Sequence, residues 1–286
     1  MRRGRPKMPA WADFRAALGA VLLLASAGAV GAAEGDRPDL VSGTHFRVCA
    51  DPANMPFSNR EGEGFENRIA ELFAGKLGKP VRYTWFPMAT GFIRKTLREN
   101  RCDVVIGYAQ GHELVLNTNH YYTSAYVFVT PADGPLADVT SFEDPRLQGR
   151  RLGVIAGSPP ASHLARVGLI GQAKGYQLMV DRRHDDPAAE MLADLRAGEI
   201  EGGFLWGPIG GWLAKTAEGV PLTATPMLEE DAPPRLFYRI TMGVRAGETE
   251  WKRQLNSLIR RNQEEIDAIL RDYGVPLVDE FGRSGG

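Results

Sequence analysis

The 286-residue sequence lacks the short motifs that carry most hydrolytic and phosphoryl-transfer chemistry. It has no Walker loop, no Gly-x-Gly-x-x-Gly opening a helix, and no Gly-x-Ser-x-Gly elbow joining a strand to a helix. Histidine is also scarce, and its five positions show neither the i, i+4 spacing of a helical metal pair nor a neighbouring cysteine. These absences predict a protein that is not an enzyme and that holds no metal and no cofactor.

Cysteine is limited to Cys49 and Cys102, with no Cys-x-x-Cys pair. Two cysteines alone make a poor metal site. In an exported chain an even number of cysteines can oxidise to a disulfide, provided that strand register brings the two Cα atoms within bridging distance. The alternative is a pair of buried thiols, a common environment for cysteine. The sequence leaves both readings open.

Long apolar runs are missing after the N-terminal segment. That segment starts with several basic residues, continues with the apolar run from Ala16 to Val30, and ends in small residues. This pattern is typical of a secretory signal peptide, which we place at residues 1–33 and which predicts export to the periplasm. The apolar run is short for a spanning helix, so a retained membrane anchor is the alternative.

Excess positive charge is also missing from the predicted mature chain. Removing residues 1–33 takes away five positive charges and one negative charge, so the formal charge moves from −1 to −5. Nucleic-acid binding depends mainly on neutralising phosphates with cationic side chains. The mildly acidic mature chain therefore argues against a nucleic-acid partner, although a basic protein partner stays compatible with it.

A pattern of strand, helix, strand, helix, strand occurs twice, about one hundred residues apart. The predicted strands are Phe46–Ala50, Val81–Pro87, Cys102–Gly107, Thr123–Pro131, Arg151–Ile155, Tyr176–Val180, Gly202–Pro208 and Leu236–Gly247. Such alternation predicts α/β lobes, each a doubly wound sheet with flanking helices. Two lobes joined by crossing strands enclose a cleft, which is a preferred ligand site.

Changes in composition suggest where the lobes begin and end. The Pro-, Asp- and Gly-rich stretch after Pro131 is typical of a boundary. We place the first lobe at residues 34–130 and the second at residues 131–235. A return strand and a C-terminal helix, residues 236–286, complete the two-lobed domain. The segments 108–122 and 228–235 are predicted as loops, the second of them acidic and exposed, and residues 249–273 as one amphipathic helix.

Three further helices are predicted from local signals. The first has apolar residues at helical spacing from Phe65 to Leu77 and stops at Gly78. The second has Thr90 as its N-cap, and the third runs from Asp186 as N-cap to Gly198 just past its end.

The loop after the first strand is the first candidate site. It begins at Asp51 and contains Asn54, Met55 and Phe57. In an open α/β sheet, ligands bind beyond the carboxyl end of the strands. These four residues are therefore predicted to contact a ligand or a partner. For Met55 and Phe57 the alternative is simple packing between the following helix and the sheet.

Further candidates lie at or just beyond other strand ends: Trp85, Tyr108, Gln110, Tyr122 and Trp206. Aromatic side chains at strand ends are suited to lining a pocket or gripping a partner's side chain. Filling the cores is the alternative, which we prefer for Trp85. For Trp206 we favour a site, because the Gly-Pro that follows is unlike the interior of a strand.

Ser158 begins the segment Ser-Pro-Pro, which opens a predicted helix. A helix N-terminus offers free N–H groups to an anion, so Ser158 is a candidate ligand-binding residue. A plain capped turn explains the segment equally well.

Four segments connect these observations to a known group of proteins: VCADPANMPFSN, GFENRIAELF, RCDVVIG and YVFV. Through them, nearly all of residues 46–273 resembles the solute-binding proteins that serve amino-acid ABC transporters. Within that group, the CADPxNxPFSN run, the GFEN helix start, RCDVV and the WGP turn resemble the J proteins of methanol-oxidation clusters. The resemblance implies a type II periplasmic-binding-protein fold with two lobes.

The sequence departs from the amino-acid binders at two positions of their ligand site. Those proteins carry an arginine after the third strand, to clamp the ligand carboxylate, whereas residues 108–122 contain no arginine. They also carry an aspartate at the end of a strand in the second lobe, near where Trp206 stands here. A zwitterion would lack partners for its charges, at a cost of several kcal/mol. The sequence thus keeps the fold without the usual ligand contacts.

The resemblance to the J proteins implies a non-catalytic periplasmic accessory protein of a system built on an alcohol dehydrogenase that depends on pyrroloquinoline quinone (PQQ). The expected partners are that dehydrogenase, its cytochrome c, or a small-molecule ligand. One alternative is an ABC-transporter binding protein for a neutral or aromatic solute. Another is a dehydratase, which needs a positioned acid or base; the candidates are Asp51, Glu66 and Glu113.

Overall fold

The structure is a computed structural model that describes residues 40–111, 113–230 and 232–283. The predicted signal peptide, residues 1–33, lies outside the described residues. The strands are β1 Phe46–Ala50, β2 Ala53–Asn54, β3 Ser58–Asn59, β4 Val81–Trp85, β5 Val104–Ala109, β6 Leu116–Pro131, β7 Leu152–Ile155, β8 Ala173–Tyr176, β9 Gly202–Trp206, β10 Leu222–Pro226 and β11 Phe237–Val244. The helices are α1 Phe65–Leu77, α2 Phe92–Lys95, α3 Pro159–Arg166, α4 Pro187–Ala197, α5 Gly207–Thr216, α6 Thr249–Arg261 and α7 Gln263–Asp272.

The long strand β6 belongs to both lobes. Its first part pairs with β11, as in the pair Tyr122 and Ile240, and its last part pairs with β9, as in the pair Phe128 and Phe204. The strand order is β4-β1-β5-β11-β6 in one lobe and β6-β9-β7-β8 in the other, with β10 also beside β6. The two-lobed α/β fold expected from the sequence is confirmed. The domain boundaries that we placed by composition stay a prediction.

Parallel pairing puts the carboxyl ends of several strands at one edge of the sheet in each lobe. In the first lobe β1 runs parallel to both β4 and β5, and in the second β7 runs parallel to both β8 and β9. The carboxyl ends of parallel strands meet at one edge of a sheet, where ligands bind in open α/β folds. The carboxyl ends of β1, β5, β7 and β9 therefore come together between the lobes.

Each lobe has its own apolar core. Helix α1 packs through its buried face, with Phe65, Ile69 and Phe73 spaced at helical intervals. In the second lobe the rings of Phe128 and Phe142 stack on Phe204, with centroids 4.5 and 4.8 Å away. Two separate cores allow the groove between them to stay open to a ligand.

Helix ends confirm the sequence signals in two cases. Helix α1 ends at Gly78, whose φ of 63° is the left-handed conformation that favours glycine. Helix α4 begins at Asp186, whose carboxylate accepts hydrogen bonds from the N–H groups of Ala188 and Ala189, with Pro187 in the first turn. Gly198 ends α4 in the same left-handed conformation.

Two predicted segments of the sheets are wrong. Residues 108–122, expected to form a loop, instead contain the end of β5 and the start of β6, because both pair with β11. The strand expected at residues 176–180 lies earlier, at β8, where Ala173 to Tyr176 pair with Leu152 to Ile155. The next four residues leave the sheet, and Leu178 and Met179 are 53% and 61% exposed.

Three further local predictions are also wrong. The C-terminal helix breaks into α6 and α7 at Asn262, whose side-chain amide donates to the carbonyl of Leu258 at 2.7 Å. Gly91, rather than Thr90, caps the short helix α2. The described residues of the acidic segment 228–235 form a loop as expected, but the loop is not fully exposed, because the Glu230 carboxylate accepts a hydrogen bond from the N–H of Phe142 at 2.9 Å.

Candidate functional site

A cavity of about 310 Å³ lies between the two lobes. Its wall on the side of the first lobe consists of Asp51, Asn54, Phe57, Glu66, Met88, Gly107, Tyr108, Ala109, Tyr122 and Ile240. Its wall on the side of the second lobe consists of Tyr126, Ile155, Ser158, Gln177, Leu178, Met179, Val180, Arg182, Pro187, Ala188, Leu205, Trp206 and Ile209. The size and the mostly apolar lining fit a small-molecule or side-chain site with a few polar groups.

The cavity brings together seven of the ten candidate binding residues: Asp51, Asn54, Phe57, Tyr108, Tyr122, Ser158 and Trp206. The other three lie elsewhere. Met55 packs against the core of the first lobe. Trp85 stacks on Tyr83 with ring centroids 4.5 Å apart, and Gln110 lines a separate groove. A binding role for any of the ten stays a prediction.

Asp51, at the end of β1, holds the loops on the first-lobe wall. One carboxylate oxygen accepts a hydrogen bond from the N–H of Ala53 at 2.9 Å, and the other from the N–H of Met88 at 2.6 Å. The backbone carbonyl of Asp51 accepts from the Ser58 hydroxyl at 2.8 Å. Asp51 is only 2% exposed. It therefore places a carboxylate at the wall and also fixes the shape of that wall.

Glu66, in the first turn of α1, is an acidic group of the cavity that the sequence indicated only as a candidate acid of the alternative dehydratase. Its side chain lies against the backbone of Gly107 in β5, so closely that a Cβ at that position would overlap the carboxylate. Burial raises the pKa of Glu66 to about 8, and the negative charge of Asp51 adds to the increase. Glu66 is therefore mainly the neutral acid at pH 7. The glycine at the end of a buried strand was the one sequence signal for this arrangement.

The aromatic part of the cavity centres on Trp206. Its ring meets the ring of Tyr126 edge to face, with centroids 5.3 Å apart at 63°, and the ring of Tyr238 at 5.9 Å and 72°. On the opposite wall Phe57 packs on Phe65 at 5.2 Å. Burial raises the pKa values of Tyr122 and Tyr126, so both hydroxyls stay protonated in the physiological range.

Ser158 precedes α3 but does not form an ordinary anion site there. Pro159 and Pro160 occupy the first two helical positions, and proline has no N–H to donate. The N–H of Ala161 is bonded to the carbonyl of Ser158 at 3.0 Å. The buried Ser158 hydroxyl has no hydrogen-bond partner within the described part of the chain. The start of α3 therefore offers a hydroxyl, with few backbone donors, to a ligand.

Arg182 is a cationic group of the cavity that sequence reasoning missed. Its guanidinium donates to the Asp186 carboxylate at 2.7 Å and, across the cleft, to the side-chain oxygen of Asn54 at 3.2 Å. The bond to Asn54 links the two lobes at the cavity. Because Asp186 balances its charge, Arg182 adds little net positive charge to the site.

The two cysteines form a disulfide beside the candidate loop. Cys49 in β1 and Cys102 just before β5 are bonded, and their Cα atoms are 5.5 Å apart. Both are buried, since β1 and β5 are neighbours in the sheet. The disulfide joins the strand that carries Asp51 to the strand that carries Gly107.

Across residues 40–111, 113–230 and 232–283, no group of three or more His, Cys, Asp or Glu side chains is arranged to hold a metal ion. Within the same ranges, no helix has both the length and the apolar character needed to cross a bilayer.

A comparison with known families matches residues 46–276 to the bacterial extracellular solute-binding proteins, family 3. The chain belongs to this family. The matched residues include both sheets and the walls of the cavity. Membership of a family of binding proteins supports a non-catalytic role, and the extracellular character of the family implies a periplasmic location.

Several relatives of this solute-binding protein are named MoxJ or XoxJ. Protein MoxJ of Methylorubrum extorquens is 32% identical over 261 residues, which cover 86% of this chain and 85% of that protein. Protein MoxJ of Paracoccus denitrificans is 27% identical over 283 residues, 93% of this chain and 98% of that protein. The crystal structure of the periplasmic binding protein XoxJ from Methylobacterium extorquens AM1 has 45% identity and a TM-score of 0.70, covering 82% of this chain and all of that one. The resemblance to the J proteins is confirmed.

Proposed function

We propose that this solute-binding protein is a periplasmic accessory protein of a PQQ-dependent methanol or alcohol dehydrogenase system. It binds the dehydrogenase, or assists its maturation, through the aromatic cavity between the lobes. The observation that carries the proposal is the match to MoxJ over most of both chains, since J proteins accompany methanol oxidation. Export through the N-terminal signal peptide brings the protein to the compartment of the dehydrogenase.

The cavity supports a role other than amino-acid transport. A zwitterionic amino acid needs a free cation for its carboxylate, whereas the Arg182 guanidinium is already bonded to Asp186. The two prolines at the start of α3 remove backbone donors that a carboxylate would use. The cavity therefore suits a different occupant.

The edge of the cavity has the composition of a protein-binding surface. Leu178 and Met179, which follow β8, are more than half exposed and line the cavity wall. Trp206 lies in the same wall. Exposed apolar residues beside a partly buried tryptophan are typical of an interaction site rather than of plain surface. A side chain of the dehydrogenase would enter the cavity while its surface covers Leu178 and Met179.

The test is co-purification of the tagged mature protein from the periplasm of cells that are oxidising methanol. Mass spectrometry and the absorbance of PQQ identify the captured dehydrogenase. We expect near-stoichiometric capture by the natural protein and much less by Trp206→Ala. Trp212→Ala is the matched control, because Trp212 stacks on Tyr273 away from the cavity. Equal capture by both variants, or capture of no dehydrogenase, contradicts the proposal.

A second candidate is a transport binding protein for a neutral or aromatic solute. The mostly apolar cavity, with its several aromatic wall residues, favours it. Ligand screening by thermal unfolding separates the two functions, because a ligand at one hundred times its Kd adds about 2.7 kcal/mol to the free energy of unfolding. A periplasmic solute that stabilises the protein to this extent, without dehydrogenase capture, favours transport.

A further inference from the structure

We propose that the occupant of the cavity presents an ammonium group, which lies between the carboxyl groups of Glu66 and Asp51 with its apolar body against Trp206. The ammonium belongs either to a free organic amine or to a lysine side chain of a partner protein. The inference deepens the proposed function, because it gives the chemistry of the group that enters the same cavity.

Glu66 is a buried carboxyl group at the cavity wall that is available to a bound molecule. It is 6% exposed and lines the cavity, and its carboxyl group forms no hydrogen bond with any of the described residues. Gly107 provides the space in which the carboxyl group lies. A buried carboxylate without a partner is costly, so a group at this position is expected to serve a bound molecule.

The surroundings of Glu66 favour a cation over any other occupant. The titratable groups coupled to it within the described structure are the carboxylate of Asp51 and the phenols of Tyr83, Tyr121 and Tyr122. None of these supplies a positive charge at pH 7. The proton that Glu66 keeps near neutral pH neutralises Glu66 itself, which spares it desolvation and repulsion by Asp51. A ligand ammonium would replace that proton.

Anionic ligands are disfavoured by the same wall residues. Asp51 and Glu66 would repel a carboxylate or a phosphate. The cavity's guanidinium, Arg182, is engaged with Asp186, and the prolines after Ser158 remove two N–H donors. Charge complementarity therefore points to a positive occupant.

The aromatic wall fits the rest of such a ligand. Trp206 and Tyr126 line the cavity opposite Glu66 and meet at 63°. Aromatic faces attract cations and pack well against an apolar chain. An ammonium carried on an aromatic or aliphatic body therefore satisfies both the acidic and the aromatic parts of the cavity.

Calorimetric titration with three probes of similar shape tests the inference: 2-phenylethylammonium, 2-phenylethanol and 3-phenylpropionate. We expect the ammonium to bind the natural protein at least about tenfold more tightly than the alcohol, and the carboxylate most weakly. Since Glu66 must lose its proton to receive the cation, ammonium affinity should rise about tenfold per pH unit between pH 6 and pH 7.5. The affinity of the alcohol should not rise.

A pair of variants locates the effect. Glu66→Gln should remove both the preference for the ammonium and its pH dependence. Glu71→Gln is the matched control, because Glu71 lies on the same helix but is exposed, and it should keep both. The inference is overturned if the ammonium and the alcohol bind equally well, if the carboxylate binds most tightly, or if Glu66→Gln still prefers the ammonium to the alcohol. Failure of every amine and lysine probe to bind at about 10 mM overturns it too.

A second arm identifies the source of the ammonium. The capped peptide acetyl-Phe-Lys-Phe-amide is compared with its norleucine analogue and with 2-phenylethylammonium. Tighter binding of the lysine peptide assigns the ammonium to a partner protein, and tighter binding of the free amine assigns it to a small molecule. Dehydrogenase capture is measured on the same protein preparations. If the protein captures the dehydrogenase but does not prefer the ammonium, only the ammonium inference is contradicted. If it prefers the ammonium but captures no dehydrogenase, only the accessory role is contradicted.

Discussion

The buried carboxyl group of Glu66 makes a quantitative prediction about stability and pH. Its pKa rises from an ordinary value near 4.5 to about 8 in the folded protein. A carboxyl group with a raised pKa binds more protons in the folded state than in the unfolded state, so its contribution to stability falls as pH rises from the unfolded value to the folded value. With 1.36 kcal/mol per pKa unit, folding loses roughly 2 to 3 kcal/mol between pH 5 and pH 7 from this group alone.

Glu66→Gln isolates that contribution, because glutamine resembles the neutral acid and does not titrate. We expect the two proteins to have similar free energies of unfolding at pH 5, and the variant to be more stable by roughly 2 to 3 kcal/mol at pH 7. The assay is urea unfolding of both proteins at pH 5, 6 and 7. Taking the difference between the two proteins at each pH cancels the other titrating groups.

Glu71→Gln controls for the loss of one negative charge from helix α1. Its stability difference from the natural protein should change much less over the same pH range than that of Glu66→Gln, because Glu71 is exposed. If the difference between Glu66→Gln and the natural protein is the same at pH 5 and pH 7, the carboxyl group is not the buried acid that the structure describes, and the reasoning fails.

Three further predictions concern the walls of the cavity. Trp206→Ala should weaken partner or ligand binding more than it lowers the melting temperature, and equal losses in calorimetry and binding assays would count against a site at this residue. Gly107→Ala should destabilise the fold by displacing the Glu66 side chain. Urea unfolding should show that adding Glu66→Ala recovers part of the lost free energy of unfolding; if the effects of the two changes are simply additive, Gly107 and Glu66 are not in contact. Reduction of the disulfide between Cys49 and Cys102, which are 53 residues apart, should lower the free energy of unfolding by about 4 kcal/mol, and an unchanged urea midpoint after reduction would contradict this.

The sequence predicted well those parts of the fold that depend on local signals. Strand β1 and helices α1 and α4 lie where the pattern of apolar residues, the cap at Asp186 and the glycines after each helix placed them. Each signal acts within a few residues and needs no partner from elsewhere in the chain. The division into two lobes followed because the same alternation of strands and helices occurs twice.

Long-range pairing explains the parts that the sequence did not predict. The segment between Tyr108 and Tyr122 reads as a polar loop, yet its two ends are strand because β11, more than one hundred residues later, pairs with both. Likewise, β8 takes its register from β7, which leaves Leu178 and Met179 at the cavity. Pairing of distant strands outweighs local β propensity.

The candidate site was predicted only in outline. Residues at or directly after strand ends, such as Trp206 and Asp51, line the cavity as strand order suggests. Arg182 was missed, and Glu66 was named only as an acid of the alternative dehydratase, because each reaches the cavity from another element: Arg182 from the loop before α4 and Glu66 from the first turn of α1. Their roles depend on close packing against Gly107 and on a hydrogen bond to Asn54, which no local pattern in the sequence indicates.

The most direct test of the accessory role is a titration of the purified mature protein with a purified PQQ-dependent methanol dehydrogenase from the same cells. The account predicts a saturable complex that Trp206→Ala weakens and Trp212→Ala preserves. It also predicts that exposed Leu178 and Met179 become protected from solvent in the complex. Two results would contradict the claim that the cavity engages the dehydrogenase. One is the absence of a complex at about 50 µM of each protein. The other is a complex that is as strong with Trp206→Ala, or with a ligand bound in the cavity, as with the natural protein.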